Sequence, residues 1–248
     1  MLNRIKERAK LNTTSQDSTN CKLCKDTSWI LAEEGTYKRC DCYSKELSKR
    51  LWLNFGVDPD KVKKLNEYKP YDEVTTNAKA LANKYVIEYQ GETSLALLGK
   101  PGAGKTHIAI AIGSALLNRN IRVVYMPYLE VMMELKANTM DDENYSKIVG
   151  KYLKADLLII DDLFKDKVKN GKLLPSGLTE ADLKHIYRIL NFRYNNHKPN
   201  VISSECTPEM ILNLDEALAR RILEPCGNNI VVFGEKNNYS MRRFENER

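Results

Sequence analysis

Eight residues, Gly99-Lys100-Pro101-Gly102-Ala103-Gly104-Lys105-Thr106, constrain this chain more than any others. They fit G-x-x-x-x-G-K-[ST], the pattern of a loop that wraps phosphate groups, and that pattern carries weight only between a strand and a helix. The flanks provide both. Residues 93–98 (TSLALL) read as a short buried strand, and residues 106–117 (THIAIAIGSALL) as the helix that follows. Glycine permits backbone angles closed to other residues. Successive N–H groups can therefore converge on phosphate oxygens, and the positive end of the helix adds to the attraction. On this reading Gly99, Pro101, Gly102, Ala103, Gly104, Lys105, Thr106 and His107 form the binding site for ATP or ADP. Lys105 reaches the β- and γ-phosphates, and the Thr106 hydroxyl ligates Mg²⁺.

Downstream of that loop, strand and helix patterns alternate, which predicts an α/β fold with a parallel sheet. Strands are expected at 121–126, 155–163, 200–204 and 230–233, and helices at 128–137, 141–153, 179–195, 208–212 and 216–223. A further amphipathic helix is expected over 73–89. The helix at 179 opens with Thr179-x-x-Asp182, a capping box with Asp in place of Glu or Gln. Residues 155–163 (ADLLIIDDL) are nearly all apolar, as a central parallel strand requires, and end in Asp161 and Asp162. Ligands sit at that carboxyl edge in open α/β sheets. Asp161 is thus expected in the Mg²⁺ shell and Asp162 near an attacking water, where its short side chain implies slow hydrolysis.

The first quarter of the chain has a different character. Of 248 residues carrying a net charge of +6, the first 70 contain 15 Lys and Arg against 10 Asp and Glu. Such an excess suits nucleic acid, an acidic protein partner or merely a solvated surface. A charged short helix and a polar tether occupy residues 1–20. Four cysteines then follow in two close pairs, Cys21-x2-Cys24 and Cys40-x-Cys42, fifteen residues apart. The spacing resembles a zinc ribbon, four thiolates around tetrahedral Zn²⁺ with no open position and hence a structural role. A disulfide framework is the alternative, disfavoured in a reducing compartment. Cys206 and Cys226 read as small core residues. The linker is placed at 51–71.

The order of phosphate loop, IIDDL, a strand ending Ser203-Ser204-Glu205, and Ala217-Leu218-Ala219-Arg220-Arg221-Ile222 resembles the AAA+ ATPases. Within them it is similar to the DnaC/DnaI helicase loaders, with the transposition helper IstB as a close cousin; the stretch from Ile186 to Ile202 adds to the likeness. The resemblance covers residues 72–245, and the cysteine ribbon points toward the loaders. It implies an AAA+ ATPase domain at 72–248 behind a zinc-binding, helicase-interaction module at 1–50. It also implies partners: a replicative DNA helicase, single-stranded DNA and further copies of the chain assembled on ATP. By the same resemblance Arg221, with Arg220 as fallback, is the arginine finger that completes a neighbour's site. Glu205 stands at the sensor 1 position, where the family usually carries Asn; an acid there accepts hydrogen bonds but donates none to phosphate, and Ser204 is the alternative donor. Tyr239-Ser240-Met241-Arg242 resembles the closing segment, with Arg242 approaching nucleotide. Lys165, Lys167, Lys169 and Lys172, with Phe164 at the loop base, suit single-stranded DNA or a plain soluble loop. A transposase helper that binds duplex DNA and a nucleotide-regulated adaptor without turnover remain rival readings.

Composition narrows the setting. With 42% hydrophobic and 29% charged residues, the chain matches an ordinary globular protein. No apolar run nears the ~18 residues a membrane span needs, and the charged start (MLNRIKERAK) has no apolar segment behind it. The expected compartment is the cytoplasm.

Overall fold

The computed structural model describes residues 21–32, 35–165, 167–169, 172–174 and 178–234. The helix and tether expected in 1–20 and the 239–242 segment lie outside the described residues. Among those described, a hairpin of β1 (Trp29–Leu31) and β2 (Tyr37–Arg39) precedes helix α1 (Asp41–Leu53) and α2 (Glu73–Ile87). The main body then runs β3 (Leu95–Gly99), α3 (Lys105–Asn118), β4 (Val123–Pro127), α4 (Tyr128–Ala137), α5 (Asp142–Lys154) and β5 (Leu157–Leu163). A two-residue ladder, β6 (Val168–Lys169) with β7 (Lys172–Leu173), interrupts the lysine-bearing loop. Then come α6 (Glu180–Asn195), β8 (Asn200–Ser204), α7 (Pro208–Leu214), α8 (Glu216–Leu223) and β9 (Ile230–Phe233).

Five strands form one sheet in the order β4-β5-β8-β3-β9, every neighbouring pair parallel. Side chains alternate between faces with period two, and the apolar runs supply both faces. Leu95, Leu97, Val123, Tyr125, Leu157, Ile159 and Val201 enter one core with α2, α3 and the end of α1. Ala96, Leu98, Val124, Met126, Leu158, Ile160 and Ile202 enter the other with α4 to α8. The chain leaves β3 toward β4 at one edge and returns to β9 on β3's other side. That reversal opens a crevice at the carboxyl ends of β3, β5 and β8.

Local chemistry sets the helix starts. Thr179 and Asp182 form the expected capping box: the Thr179 N–H donates to Asp182 Oδ2 at 2.9 Å and the Asp182 N–H to Thr179 Oγ1 at 3.2 Å. Asp141 caps α5 by accepting from the Asn144 N–H at 3.0 Å, and Thr207 with Pro208 behind it starts α7.

The stretch expected as a linker, 51–71, is packed rather than free. Trp52, Leu65 and Tyr68 are buried in the core that lines α3. The indole N–H of Trp52 donates to the Val123 carbonyl at 3.2 Å, and its ring lies 5.4 Å from that of Tyr125. A Cβ at Gly113 of α3 would come within 2.7 Å of the same indole. Three apolar side chains spread over a Pro- and Gly-punctuated stretch suffice to hold it down, a pattern that periodicity does not register. No helix among the described residues is long and apolar enough to cross a membrane.

Candidate functional site

The turn between β3 and α3 holds Gly99, Gly102 and Gly104 at positive φ, and at the first and last a Cβ would also collide. Gly99 has φ +104, and a Cβ there would collide with the Phe233 carbonyl oxygen of β9. Gly104, the N-cap of α3, has φ +83, and its Cβ would meet the Tyr68 ring at 2.7 Å. Both angles lie where side-chain-bearing residues are strained. The Tyr68 hydroxyl donates to the Ala103 carbonyl at 2.8 Å, clamping the loop from outside. Lys105 is only 5% exposed, and its ammonium donates to the carbonyls of Gly99 (2.8 Å) and Lys100 (2.7 Å). Burial pulls its pKa down to about 8, against the opposing pull of the Glu205 and Asp162 carboxylates. His107 faces the 64–68 stretch: its ring stands edge-on to Tyr68, with Nε2 3.3 Å from the Lys64 carbonyl.

Opposite the loop, Asp161 collects three hydroxyls. It accepts from Thr106 Oγ1 and from the Tyr125 hydroxyl, each at 2.9 Å, and from Ser203 Oγ of β8. Burial raises its pKa, while the Ser203, Tyr125 and Thr106 hydrogen bonds pull the other way. Thr106 and Asp161 together offer Mg²⁺ the hard oxygen donors it prefers. The two residues, 55 positions apart in sequence, are in direct contact.

Beyond Asp161 the β5–β8 register shifts between Ile160 and Leu163. Asp162 adopts φ +54 and Phe164 φ +62, angles that cost roughly 1–3 kcal/mol each and cluster at functional sites. The Asp162 N–H donates to Ser203 Oγ at 2.8 Å. Its carboxylate lies 3.2 Å from the Lys165 ammonium, which also donates to Glu205 at 2.8 Å. Phe164, at the base of the lysine loop, is fully buried and stands edge-on to Tyr128. That contact anchors the base of the loop in the core.

The two arginines lie elsewhere. Arg221 of α8 donates from Nε to Asn191 Oδ1 and from Nη1 to the Ala217 carbonyl, each at 2.7 Å, and its guanidinium lies 4.6 Å from the Tyr187 ring centroid. Arg220 is exposed. Both therefore sit on the α6–α8 surface and outside the phosphate-loop cluster.

The four ribbon cysteines converge. Their sulfurs all lie within 4.8 Å of one another, with Cys21–Cys40 at 3.7 Å and Cys24–Cys42 at 3.3 Å. A tetrahedral ion ~2.3 Å from each sulfur requires them ~3.8 Å apart, so the set fits zinc. The knuckle turns on Lys25 and Asp26, both at positive φ, and the Lys25 N–H donates to the Cys21 carbonyl at 2.8 Å. Cys40 caps α1 and Cys42 lies in its first turn. We expect about one zinc per purified chain by elemental analysis, falling below about 0.2 in Cys40→Ser. A metal-free wild-type chain with a folded ribbon would contradict this.

Sequence reasoning missed Ser203, Tyr125 and Tyr68 as site residues and took Lys165 for a loop cation. Ser203 stood one residue before the pair singled out at the end of β8; only the parallel pairing of β5 with β8 shows that it faces Asp161.

A family model for IstB-like ATP binding protein matches residues 13–243. The uncharacterised protein YqaM of Bacillus subtilis (strain 168) is 36% identical over 224 residues, 86% of this chain and 67% of its own length. The phage-like element PBSX protein XkdC of the same strain is 34% identical over 230 residues, 86% and 82% of the two lengths. Among solved structures, the DnaC helicase loader superposes with a TM-score of 0.59 at 24% identity, covering 75% of this chain and 99% of that one, which is a likeness of fold. The parallel sheet with its phosphate loop is an AAA+ fold, and the chain belongs to the family of IstB-like ATP-binding proteins.

Proposed function

We propose that this protein loads a replicative DNA helicase onto single-stranded DNA during replication initiation, with ATP acting as an assembly switch. The observation that carries the reading is the joining of two modules by one helix. Helix α1 begins in the four-cysteine cluster and ends with Trp52 buried against the sheet that bears the phosphate loop. Trp52 thus ties the cysteine cluster to the sheet that bears the phosphate loop, and in this reading the cluster belongs to a helicase-interaction module assigned to 1–50 and the sheet to an ATPase domain assigned to 72–248. The family name and the DnaC-like fold support an ATPase of this kind.

In this reading the loop N–H groups and Lys105 bind the phosphates, and Thr106 and Asp161 hold Mg²⁺. When bound, that ion neutralises charge building on the phosphate oxygens. Asp162 orients the attacking water and accepts its proton. Arg221 reaches a neighbouring copy, which suits its place outside its own chain's site, and so makes turnover depend on assembly. Lys167, Lys169 and Lys172 track single-stranded DNA, and the work is done in the cytoplasm. The IstB-like family match favours a second reading, a transposase helper that binds duplex DNA.

Pull-down of a replicative helicase, with and without ATP, separates the two. Because Trp52 and Tyr68 belong to the core, the ribbon is best disabled by Cys21→Ser/Cys24→Ser rather than by deletion. Capture should weaken about tenfold or more in that variant, as loss of an anchoring surface implies. No capture by the intact chain, together with a preference for duplex over single-stranded DNA, would move the assignment to the transposase helper.

A further inference from the structure

Lys165 follows the strained turn that carries Asp162 and Phe164. Its ammonium stands 2.8 Å from Glu205 at the end of β8 and 3.2 Å from Asp162 at the end of β5. An ammonium has three N–H donors, so these two carboxylates leave a third for another acceptor. Asp162, one of the two carboxylates that hold the cation, is one residue along the strand from Asp161, which itself contacts Thr106 of the phosphate loop. Backbone pairing sets Glu205 beside that loop as well: Leu98 pairs with Ser204, and the Gly99 N–H donates to the Cys206 carbonyl at 3.0 Å, so Glu205 lies between two residues bonded to the loop's start.

The charge balance there is otherwise unfavourable. Asp161, Asp162 and Glu205 bring three carboxylates to a site that must accept a polyanion. Burial works against a charged Lys165, yet the neighbouring Glu205 and Asp162 outweigh it and raise its pKa, so it stays cationic through the physiological range. Phosphoryl transfer spreads charge over the equatorial oxygens of the terminal phosphate, and fixed cationic donors stabilise that charge. An acid at residue 205 cannot donate to phosphate. It can hold a lysine that does.

We propose that Lys165 supplies a second cationic donor to the terminal phosphate and that Glu205 is the positioning residue that keeps it there. The assignment rests on the ATPase reading above and adds a role to a residue that sequence alone places among DNA-contacting loop lysines. Lys165 also begins the loop carrying β6 and β7, so a ligand that moves this loop displaces a donor of the ATPase site.

The test measures ATP turnover, and ATP and ADP affinity with fluorescent nucleotide analogues, in Lys165→Met, Lys165→Arg, Glu205→Gln and the double Lys165→Met/Glu205→Gln variant. Lys165 is 38% exposed, and a melting curve checks that each variant folds. Lys165→Met should lower kcat about 100-fold, as loss of one fixed donor to a developing anion does. It should weaken ATP about tenfold while leaving ADP within about twofold, because only ATP carries the terminal phosphate. Lys165→Arg should restore most of both, and the double variant should be no worse than Lys165→Met alone. Turnover and the ATP-to-ADP affinity ratio both unchanged in Lys165→Met would overturn the proposal. So would faster turnover, which would make the cation a restraint on Asp162. A wild-type chain that binds ATP without hydrolysing it sinks the turnover reading while the affinity ratio still decides Lys165; one that binds neither nucleotide sinks both.

Discussion

Lys105→Met removes ATP turnover, by about 1,000-fold or more, while the protein melts at the same temperature or higher. The two halves of that result have one cause. The ammonium is buried and satisfied by the Gly99 and Lys100 carbonyls, and burial holds its pKa down to about 8. A lysine whose folded pKa is depressed costs stability while charged: fully below about pH 8, and not at all above its unfolded value near 10.5. Methionine of similar length removes that cost at neutral pH. It also removes the one buried cation set to meet the β- and γ-phosphates, where fixed positive charge in a water-poor site is worth several kcal/mol of transition-state stabilisation. The pH dependence carries the sharper signature. Nucleotide should bind the wild-type chain with constant affinity up to about pH 8 and then lose about tenfold per pH unit as Lys105 must take up a proton to bind. The methionine variant should lack that descent. Equal pH profiles for the two proteins, or turnover retained in the variant, would remove Lys105 from the site.

What could be read in the chain beforehand divides along the range of the interactions. The phosphate loop, the Thr179 capping box and the β5 run depend on neighbours within a few residues, and the structure has each of them. Paired cysteines need only a hairpin between them to meet, and they do. Strand order is different. That β8 lies between β3 and β5 follows from packing, and it alone brings Ser203 to Asp161 and Glu205 to Lys165 across about 40 residues. Arg193 shows the same limit. On a helix it reads as a surface charge, yet it is fully buried, bonding Asn200 at 2.6 Å and the carbonyls of Tyr152 and Ala155 at 2.9 Å. Burial pulls its pKa down to about 9. Its work is to satisfy carbonyls where α5 gives way to β5, a task with no local signature. Phe164 was visible as an aromatic beside lysines, but only the Tyr128 contact shows that it faces inward.

Trp52→Ala tests whether the ribbon and the ATPase body are one unit. The indole is fully buried against Tyr125, fills the space that Gly113 leaves by lacking a Cβ, and satisfies the Val123 carbonyl. Truncating a buried aromatic of this kind costs about 3–5 kcal/mol through lost transfer energy and the cavity left behind. Here a hydrogen bond to a β4 carbonyl goes as well. The loss falls at the end of α1, whose first turn carries Cys42 and whose N-cap is Cys40. Zinc retention should therefore survive while the stretch 54–70 becomes open to protease, since the cluster closes within residues 21–42 and the anchor lies beyond it. Two measurements on one variant decide the matter: denaturant unfolding for the stability change, and limited proteolysis with zinc content for the coupling. A change below about 1 kcal/mol, the ordinary outcome for a surface substitution, would mean that the indole does not hold the two parts together. Loss of zinc along with the anchor would mean instead that the ribbon depends on the ATPase body to fold, and that the cysteines alone do not close it.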